Sequence, residues 1–202
     1  MPDLITFPFE RPENGGIPYL PIAAGVVLFF FSSHARNMLM AGWVHWQTQL
    51  KRGVTSRYPR FQGREPSARQ EWIDFWRTTR TMGVYSAAYA VTLLSYHAGI
   101  TQIYLDPAEY GWLYFGFSIV LALVIQDTYF YWTHRAQHHP RLMKWVHAEH
   151  HVTNPTPWTA FSMNMGQAWI ESLIFPILTI AIPMHPAAVL VWLFCVNWIA
   201  LN

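Results

Sequence analysis

The sequence predicts an all-α integral membrane helical bundle with four or five spans and a histidine cluster on its cytoplasmic side. Of the 202 residues, 52% are hydrophobic and only 12% are charged, about half the charged share of a soluble domain. Aromatic residues make up 17%, and Trp and Tyr are typical of bilayer interfaces. The apolar runs lack the two-residue alternation of a membrane β-barrel. Six of the ten histidines lie within residues 127–151.

The first span is expected at residues 17–33, which carry no charge. Residues 34–50 remain apolar but contain Arg36. They could extend the first helix, form a second short span or lie in the interface. A polar loop follows at about residues 51–80, and its excess of Arg and Lys favours the cytoplasmic side. Within this loop, residues 71–80 mix aromatic and charged side chains, as amphipathic interfacial helices do.

Two further apolar runs, residues 82–98 and 111–132, are expected to span the membrane. The loop between them carries acids but no Lys or Arg, which suits the opposite face. The last two runs, residues 168–182 and 187–201, are separated by a short turn, which predicts an antiparallel helical hairpin. Since Cys195 is the only cysteine, no intrachain disulfide can form.

The histidine stretch contains two groups at helical spacing. His134 and His138 are four residues apart and therefore lie on one face of a helix. His139 is turned by about 100° from His138, which makes it a secondary candidate. Pro140 requires the helix to end near His139.

His147, His150 and His151 form the second group, and their spacings of three and four residues place the three rings on one helical face. The intervening segment is long enough to turn the chain back, so that five or six imidazoles could meet at one point. Imidazole binds Fe, Zn and Cu, so the pattern predicts a metal site. Asp127 lies nearly two turns before His134, and we expect its carboxylate to orient the ligands from behind.

These residues carry a family resemblance. The pattern D-x-x-x-Y-W-x-H-R-x-x-H-H-P, then W-x-H-x-x-H-H and N-P-T-P, covers residues 127–157. It resembles the fatty acid hydroxylase/sterol desaturase superfamily, and the N-P-T-P continuation is most similar to its sterol C5-desaturase branch. The resemblance implies one membrane-embedded domain over residues 1–202. It also implies a di-iron centre with these ligands: His134, His138, His147, His150 and His151.

By the same resemblance, the chain is an oxidoreductase of the membrane hydroxylase or desaturase type. Such an enzyme uses O2 to attack an unactivated C–H bond of a sterol, a fatty acyl chain or a related lipid. Electrons would come from cytochrome b5 or a ferredoxin-type protein. The location would be the endoplasmic reticulum or a bacterial inner membrane, with the histidine boxes on the cytoplasmic side.

The sequence departs from the family at two points. Asn164 stands where relatives often carry a histidine, and no third histidine box precedes Asn202. We therefore expect the domain to be incomplete at its C-terminus, and an inactive fragment of the enzyme is one alternative. In an isolated or inactive form, Zn could replace Fe.

Two other functions remain open from the residues alone. One is a non-catalytic membrane protein that binds metal or resembles a transporter, and the other is a bis-histidine haem protein. The net charge of +2 gives no argument for nucleic acid. Of the remaining histidines, we expect hydrogen-bonded helix residues at His34, His45 and His97, and a turn residue on the opposite face at His185.

Overall fold

The computed structural model of the chain describes residues 7–9, 16–47, 67–152 and 156–201. These parts form helices joined by turns, and their one β-bridge is an isolated contact between Ile103 and Met184. The α-helices are α1 (Tyr19–His45), α2 (Ala68–His97), α3 (Gly111–Gln137), α4 (Pro140–Val146), α5 (Ala148–His151), α6 (Met165–Ser172), α7 (Ile174–Ala181) and α8 (Pro186–Leu201), and a short 3₁₀ helix covers Phe7–Phe9. The predicted all-α membrane helical bundle is confirmed.

Among the described helices, α1 and α3 are long and apolar enough to cross a membrane. Each has 27 residues and is therefore about 40 Å long. The structure also decides among the three interpretations of residues 34–50: α1 continues without a break to His45. The apolar helices α6–α7 and α8 are shorter, so the total of four or five spans stays a prediction.

The predicted interfacial helix at residues 71–80 is the first part of α2. Ser67 caps this helix by accepting a hydrogen bond from the Gln70 N–H at 3.2 Å, and α2 then runs unbroken through the next apolar run to His97. This part of the expected polar loop is therefore helical. Residues 51–66 of that loop lie outside the described residues.

The surface of α3 indicates a lipid environment. Only Ser118, Ala122 and Gln137 of this helix are buried, whereas apolar side chains such as Leu113 and Val120 are exposed. A helix that is apolar all round belongs in a core or in a membrane. Since the protein itself covers little of α3, the bilayer is the environment that suits it.

The main hydrophobic core joins the middle of α1 to the C-terminal helices. Phe29 packs edge-to-face on Phe175, which in turn packs on Trp192 of α8. The last two apolar runs are helices joined by a short turn, as predicted. However, α8 packs most closely on α3, and it meets α7 through large side chains instead of through close backbone approach.

At the end of the bundle where α3 begins, two histidines make structural hydrogen bonds. His185 Nε2 donates to the Leu105 carbonyl and His97 Nε2 to the Pro8 carbonyl, both at 3.0 Å. His97 is therefore a hydrogen-bonded helix residue, as expected, and His185 lies in the turn between α7 and α8. His34 differs from expectation, because its ring packs edge-to-face on Phe75 and its Nδ1 is buried without a hydrogen-bond partner.

Candidate metal centre

The first histidine pair lies where α3 ends. His134 is in the last turn of the helix and His138 is its C-cap residue, so their rings stand one turn apart. Pro140 then starts α4 at a position where no backbone N–H is needed. His139 is the N-cap of α4, and its Nδ1 accepts a hydrogen bond from the Arg141 N–H at 3.3 Å. The secondary candidate His139 therefore lies outside the cluster, because its extended backbone and capping role turn the ring away.

The second histidine group follows α4, which turns the chain back towards α3. His147 lies between α4 and α5, and its side chain is fully buried, with 0% exposure. The approach of α4 to α6 is close enough to require glycine at residue 166. A Cβ on Gly166 would lie only 2.8 Å from Val146 Cγ1. This contact sets α4, and with it His147, against α6.

Five of the six predicted ligands come together in one cluster. One potential ligand nitrogen from each of His134, His138 and His147 lies within 4.8 Å of the others. The Nε2 atoms of His134 and His138 are 3.1 Å apart, and those of His147 and His151 are 2.9 Å apart. The His150 ring centroid lies 5.5 Å from that of His147.

These distances fit metal coordination. Two imidazole nitrogens bound at ~2.1 Å to one metal, at right angles to each other, lie roughly 3 Å apart. Both nitrogen pairs in the cluster have about this separation. The donor set is all imidazole, which suits Fe, Zn and Cu and leaves the metal unidentified. The residues present therefore fit a metal site, and two pairs could serve two ions.

The protonation state of the cluster also favours metal binding. Burial lowers the pKa of His147 to about 4, and the neighbouring histidines act in the same direction against an opposing hydrogen bond with Gln167. Burial likewise lowers the pKa of His150, and a hydrogen bond with the Ser162 backbone opposes that shift. Neutral imidazole is the form that binds a metal.

A chain of hydrogen bonds behind His147 fixes its tautomer. His147 Nδ1 donates to Gln167 Oε1 at 2.9 Å, and Gln167 Nε2 donates to Glu171 Oε1 at 2.9 Å. Because Glu171 takes the amide N–H, the amide oxygen must face His147. The Nδ1–H tautomer leaves His147 Nε2 free to bind metal. Tyr85 also hydrogen-bonds Glu171.

This hydrogen-bonded chain was not predicted from the sequence, which suggested Asp127 as the residue behind the ligands. The structure places Asp127 in the wall of a nearby cavity, and no hydrogen bond links it to an imidazole among the described residues. Its role behind the ligands stays a prediction. The available signal was the pair Gln167 and Glu171, two polar residues four apart in an otherwise apolar segment.

The helix α5 is anchored to α2 by charge. Glu149 pairs with Arg80 at 3.3 Å and with Arg77 at 3.8 Å, and Arg80 also donates to the Met163 carbonyl. Asp74 is buried and accepts a hydrogen bond from the Ser162 hydroxyl at 2.8 Å. A helix of four residues has little stability of its own, so these contacts hold His150 and His151 in place.

A cavity of about 700 Å³ opens beside the cluster. His134 and His150 form part of its wall, and most of the remaining wall is apolar, with Phe29, Leu123 and Phe175 among its residues. A cavity of this size and lining suits a mainly apolar molecule. Its position brings such a molecule next to the imidazoles.

Comparison with known proteins supports the family resemblance. Residues 119–202 match the fatty acid hydroxylase family. The chain is 32% identical over 100 residues to the Delta(7)-sterol 5(6)-desaturase ERG3B of Gibberella zeae, covering 49% of the chain and 31% of that protein. It is 30% identical over 90 residues to the lathosterol oxidase of Rattus norvegicus, covering 43% of the chain and 30% of that protein.

A longer match, 24% identical over 166 residues, is with the sterol 5(6)-desaturase erg3A of Aspergillus fumigatus, and it covers 81% of the chain and 43% of that protein. The matched parts span less than half the length of these curated relatives. No solved structure matches the chain.

Proposed function

We propose that the chain acts as a membrane oxidoreductase on a lipid, because residues 119–202 match the fatty acid hydroxylase family and the chain is similar to sterol desaturases. The reaction is the O2-dependent hydroxylation or desaturation of an unactivated C–H bond in a sterol, a fatty acyl chain or a related lipid. The observation that carries this proposal is a cluster of five imidazoles beside a mainly apolar cavity, with His134 and His150 in the cavity wall.

The metal centre in this proposal is di-iron, held by the five clustered histidines: His134, His138, His147, His150 and His151. When bound, iron supplies the activation of O2 that a C–H bond requires. The residues of the chain orient the ligands and keep them neutral. Gln167 holds His147 in the tautomer whose Nε2 faces the cluster, and lowered pKa values keep His147 and His150 neutral.

The cavity provides binding and orientation for the lipid. The apolar part of its wall excludes water and receives the hydrocarbon part of the substrate directly from the bilayer. The names of the curated relatives, sterol desaturases and lathosterol oxidase, support a sterol as the first substrate to test. An electron donor such as cytochrome b5 or a ferredoxin-type protein completes the reaction.

The location follows from the same proposal. The histidine cluster lies at the C-terminal end of α3, and Arg77 and Arg80 of α2 reach α5 at that end. An excess of Arg and Lys favours the cytoplasmic side. We therefore place the cluster on the cytoplasmic side of the endoplasmic reticulum or of a bacterial inner membrane.

The test is lipid oxidation by the full-length protein in membranes, with O2, a reductant and an electron donor. Sterols and fatty acyl lipids are analysed by mass spectrometry for loss of two hydrogens or gain of one oxygen. We expect a product with the wild type, none with His147→Ala, and undiminished product with the control His139→Ala. A protein that retains Zn and oxidises no lipid class after iron loading would instead be a non-catalytic metal-binding protein.

A further inference from the structure

The cavity wall contains a cation that the proposed reaction does not use. Arg36 of α1 is the one Lys or Arg among the described residues that line the cavity. Its Nε is buried without a hydrogen-bond partner, and no ion pair joins Arg36 to any acid in the described parts of the chain. An ionised side chain inside a membrane helix is costly and usually marks a functional site.

Two further polar groups in the same wall also lack partners. Ser33, one turn before Arg36, is 2% exposed, and its hydroxyl has no hydrogen-bond partner. Serine and threonine within helices commonly donate to the carbonyl four residues earlier, as Ser86 and Thr92 of α2 do. Asn197 of α8 is 3% exposed; its Nδ2 donates to Asn37 Oδ1 at 3.5 Å, and its Oδ1 has no partner.

The two acids in the cavity wall, Glu171 and Asp127, form no ion pair with Arg36 among the described residues. Glu171 is held by Gln167 and Tyr85. Ser33, Arg36 and Asn197, which we call the polar patch, therefore combine a cation with unmet hydrogen-bonding capacity. Buried groups of this kind cost free energy unless something binds them.

We propose that the polar patch binds the oxygen-bearing end of an amphipathic lipid, with Arg36 donating hydrogen bonds to a terminal hydroxyl or carboxylate oxygen. This inference rests on the proposed function, because it takes the cavity to be the site of the lipid substrate. Both kinds of lipid, with a hydroxyl or with a carboxylate, carry a terminal acceptor oxygen on an otherwise apolar molecule. A carboxylate would bind more tightly than a hydroxyl, since a hydrogen bond between two charged groups is stronger.

The patch lies towards the end of the bundle that carries the histidines. Helices α1 and α3 both start near the loop at residues 98–110, because Ile22 of α1 shares a core cluster with Ile103 and Leu105. Arg36 lies about 10 Å beyond Phe29 along α1, in the direction away from that loop. His134 lies roughly 16 Å along α3 from Leu123, which packs in the same core cluster as Phe29.

The polar end and the reacting carbon of a bound lipid therefore lie on the same side of Phe29, towards the end of the bundle that carries the histidines. The hydrocarbon part extends away from both, towards Phe29 and Phe175. The oxidised position should accordingly lie on the half of the molecule that bears the oxygen, not at the far end of the hydrocarbon.

The experiment measures equilibrium binding of two lipids and their capped counterparts to the full-length protein in nanodiscs. The pairs are oleic acid with methyl oleate, and cholesterol with its 3-methyl ether. For the wild type, we expect at least one free lipid to bind about tenfold more tightly than its capped counterpart. The pair that shows this preference distinguishes a carboxylate from a hydroxyl.

In Arg36→Gln the ratio of the affinity for the free lipid to that for its capped counterpart should fall to about one. Binding of the capped lipid should be retained, which shows that the variant is folded. Arg69→Gln, at an exposed position in the first turn of α2, makes the same charge change and should keep the full ratio. Ser33→Ala, which removes a single oxygen, should reduce the ratio by roughly threefold. This variant decides the question if Arg36→Gln does not fold.

Equal binding of free and capped lipids by the wild type would overturn the proposed binding role of the polar patch, and so would an unchanged ratio in Arg36→Gln. The proposal that the cavity binds a lipid would not be affected. Binding of none of the four lipids would overturn the proposed lipid site as well.

Discussion

At the scale of single residues, the site depends on His147. It is the fully buried member of the cluster, its Nδ1 is held by Gln167, and its Nε2 is 2.9 Å from that of His151. A buried ring with a fixed tautomer is a preorganised ligand, because it needs neither deprotonation nor reorientation before a metal binds.

Replacing Gln167 by Leu tests this preorganisation. The change leaves His147 Nδ1 and Glu171 without their shared partner, so the ring loses its fixed orientation. We expect the affinity for Fe²⁺ or Co²⁺ to fall by about 10- to 100-fold, measured by metal titration of the metal-free protein. Gln102→Leu, at the opposite end of the bundle, is the control. Equal affinities in both variants would contradict a role for Gln167 in holding the ligand.

The pKa of His147 predicts how stability depends on pH. The value is about 4 in the folded protein and 6.5 for an ordinary histidine, so between these values the unfolded chain binds the proton and the folded chain does not. Stability that is present above pH 6.5 is therefore lost as the pH falls towards 4. We expect the thermal midpoint of the metal-free protein to fall across this range, and to fall less in His147→Gln. Identical pH profiles would rule out this contribution.

At the scale of helices, the cluster depends on the contact of α4 with α6. Gly166→Ala would place a methyl group 2.8 Å from Val146 Cγ1, which pushes α4 and His147 away from Gln167. We expect a lower thermal midpoint and weaker metal binding. The additional change Val146→Ala should restore both, since it removes the clashing methyl group. Gly116→Ala in α3, where nothing lies within 4 Å, is the matched control, and a similar loss there would show that the effect is not local.

Helical spacing explains which parts of the site were predictable. Ligands three or four residues apart share a helical face, so the two histidine groups followed from the sequence. His139 shows the limit, because its position as the N-cap before Pro140 changes the direction of the chain and removes its ring from the cluster. Gln167 was not predictable from spacing, since its contact with His147 joins residues 20 positions apart through packing of α4 on α6.

At the scale of the whole molecule, hydropathy predicted an all-α membrane bundle, but not how its helices pack. The charge at Arg36 left the continuation of α1 undecided, and the structure shows one helix that carries this arginine into a cavity. The pairing of α8 with α3 likewise depends on the shapes of large side chains such as Trp192, which a pattern of apolar residues does not specify.

The proposed lipid cavity and the proposed metal centre are formed mostly by different parts of the chain. The cavity is formed by helices from both ends of the chain, whereas the ligands come from one stretch between α3 and α5. Substrate binding and metal binding should therefore be separable. We expect Phe175→Trp, which fills part of the cavity, to weaken lipid binding without changing the metal content, as measured on the same purified sample. A parallel loss of metal would contradict this separation.

The most direct test of the central claim is the metal content of the purified full-length protein and of six single variants. Each cluster histidine and His139 is changed to Ala in turn, and iron is measured by mass spectrometry after loading and removal of excess metal. We expect a pair of iron ions in the wild type, a marked loss in all five cluster variants, and no loss in His139→Ala. Full metal content in His147→Ala, or a loss in His139→Ala equal to that of the cluster variants, would contradict it.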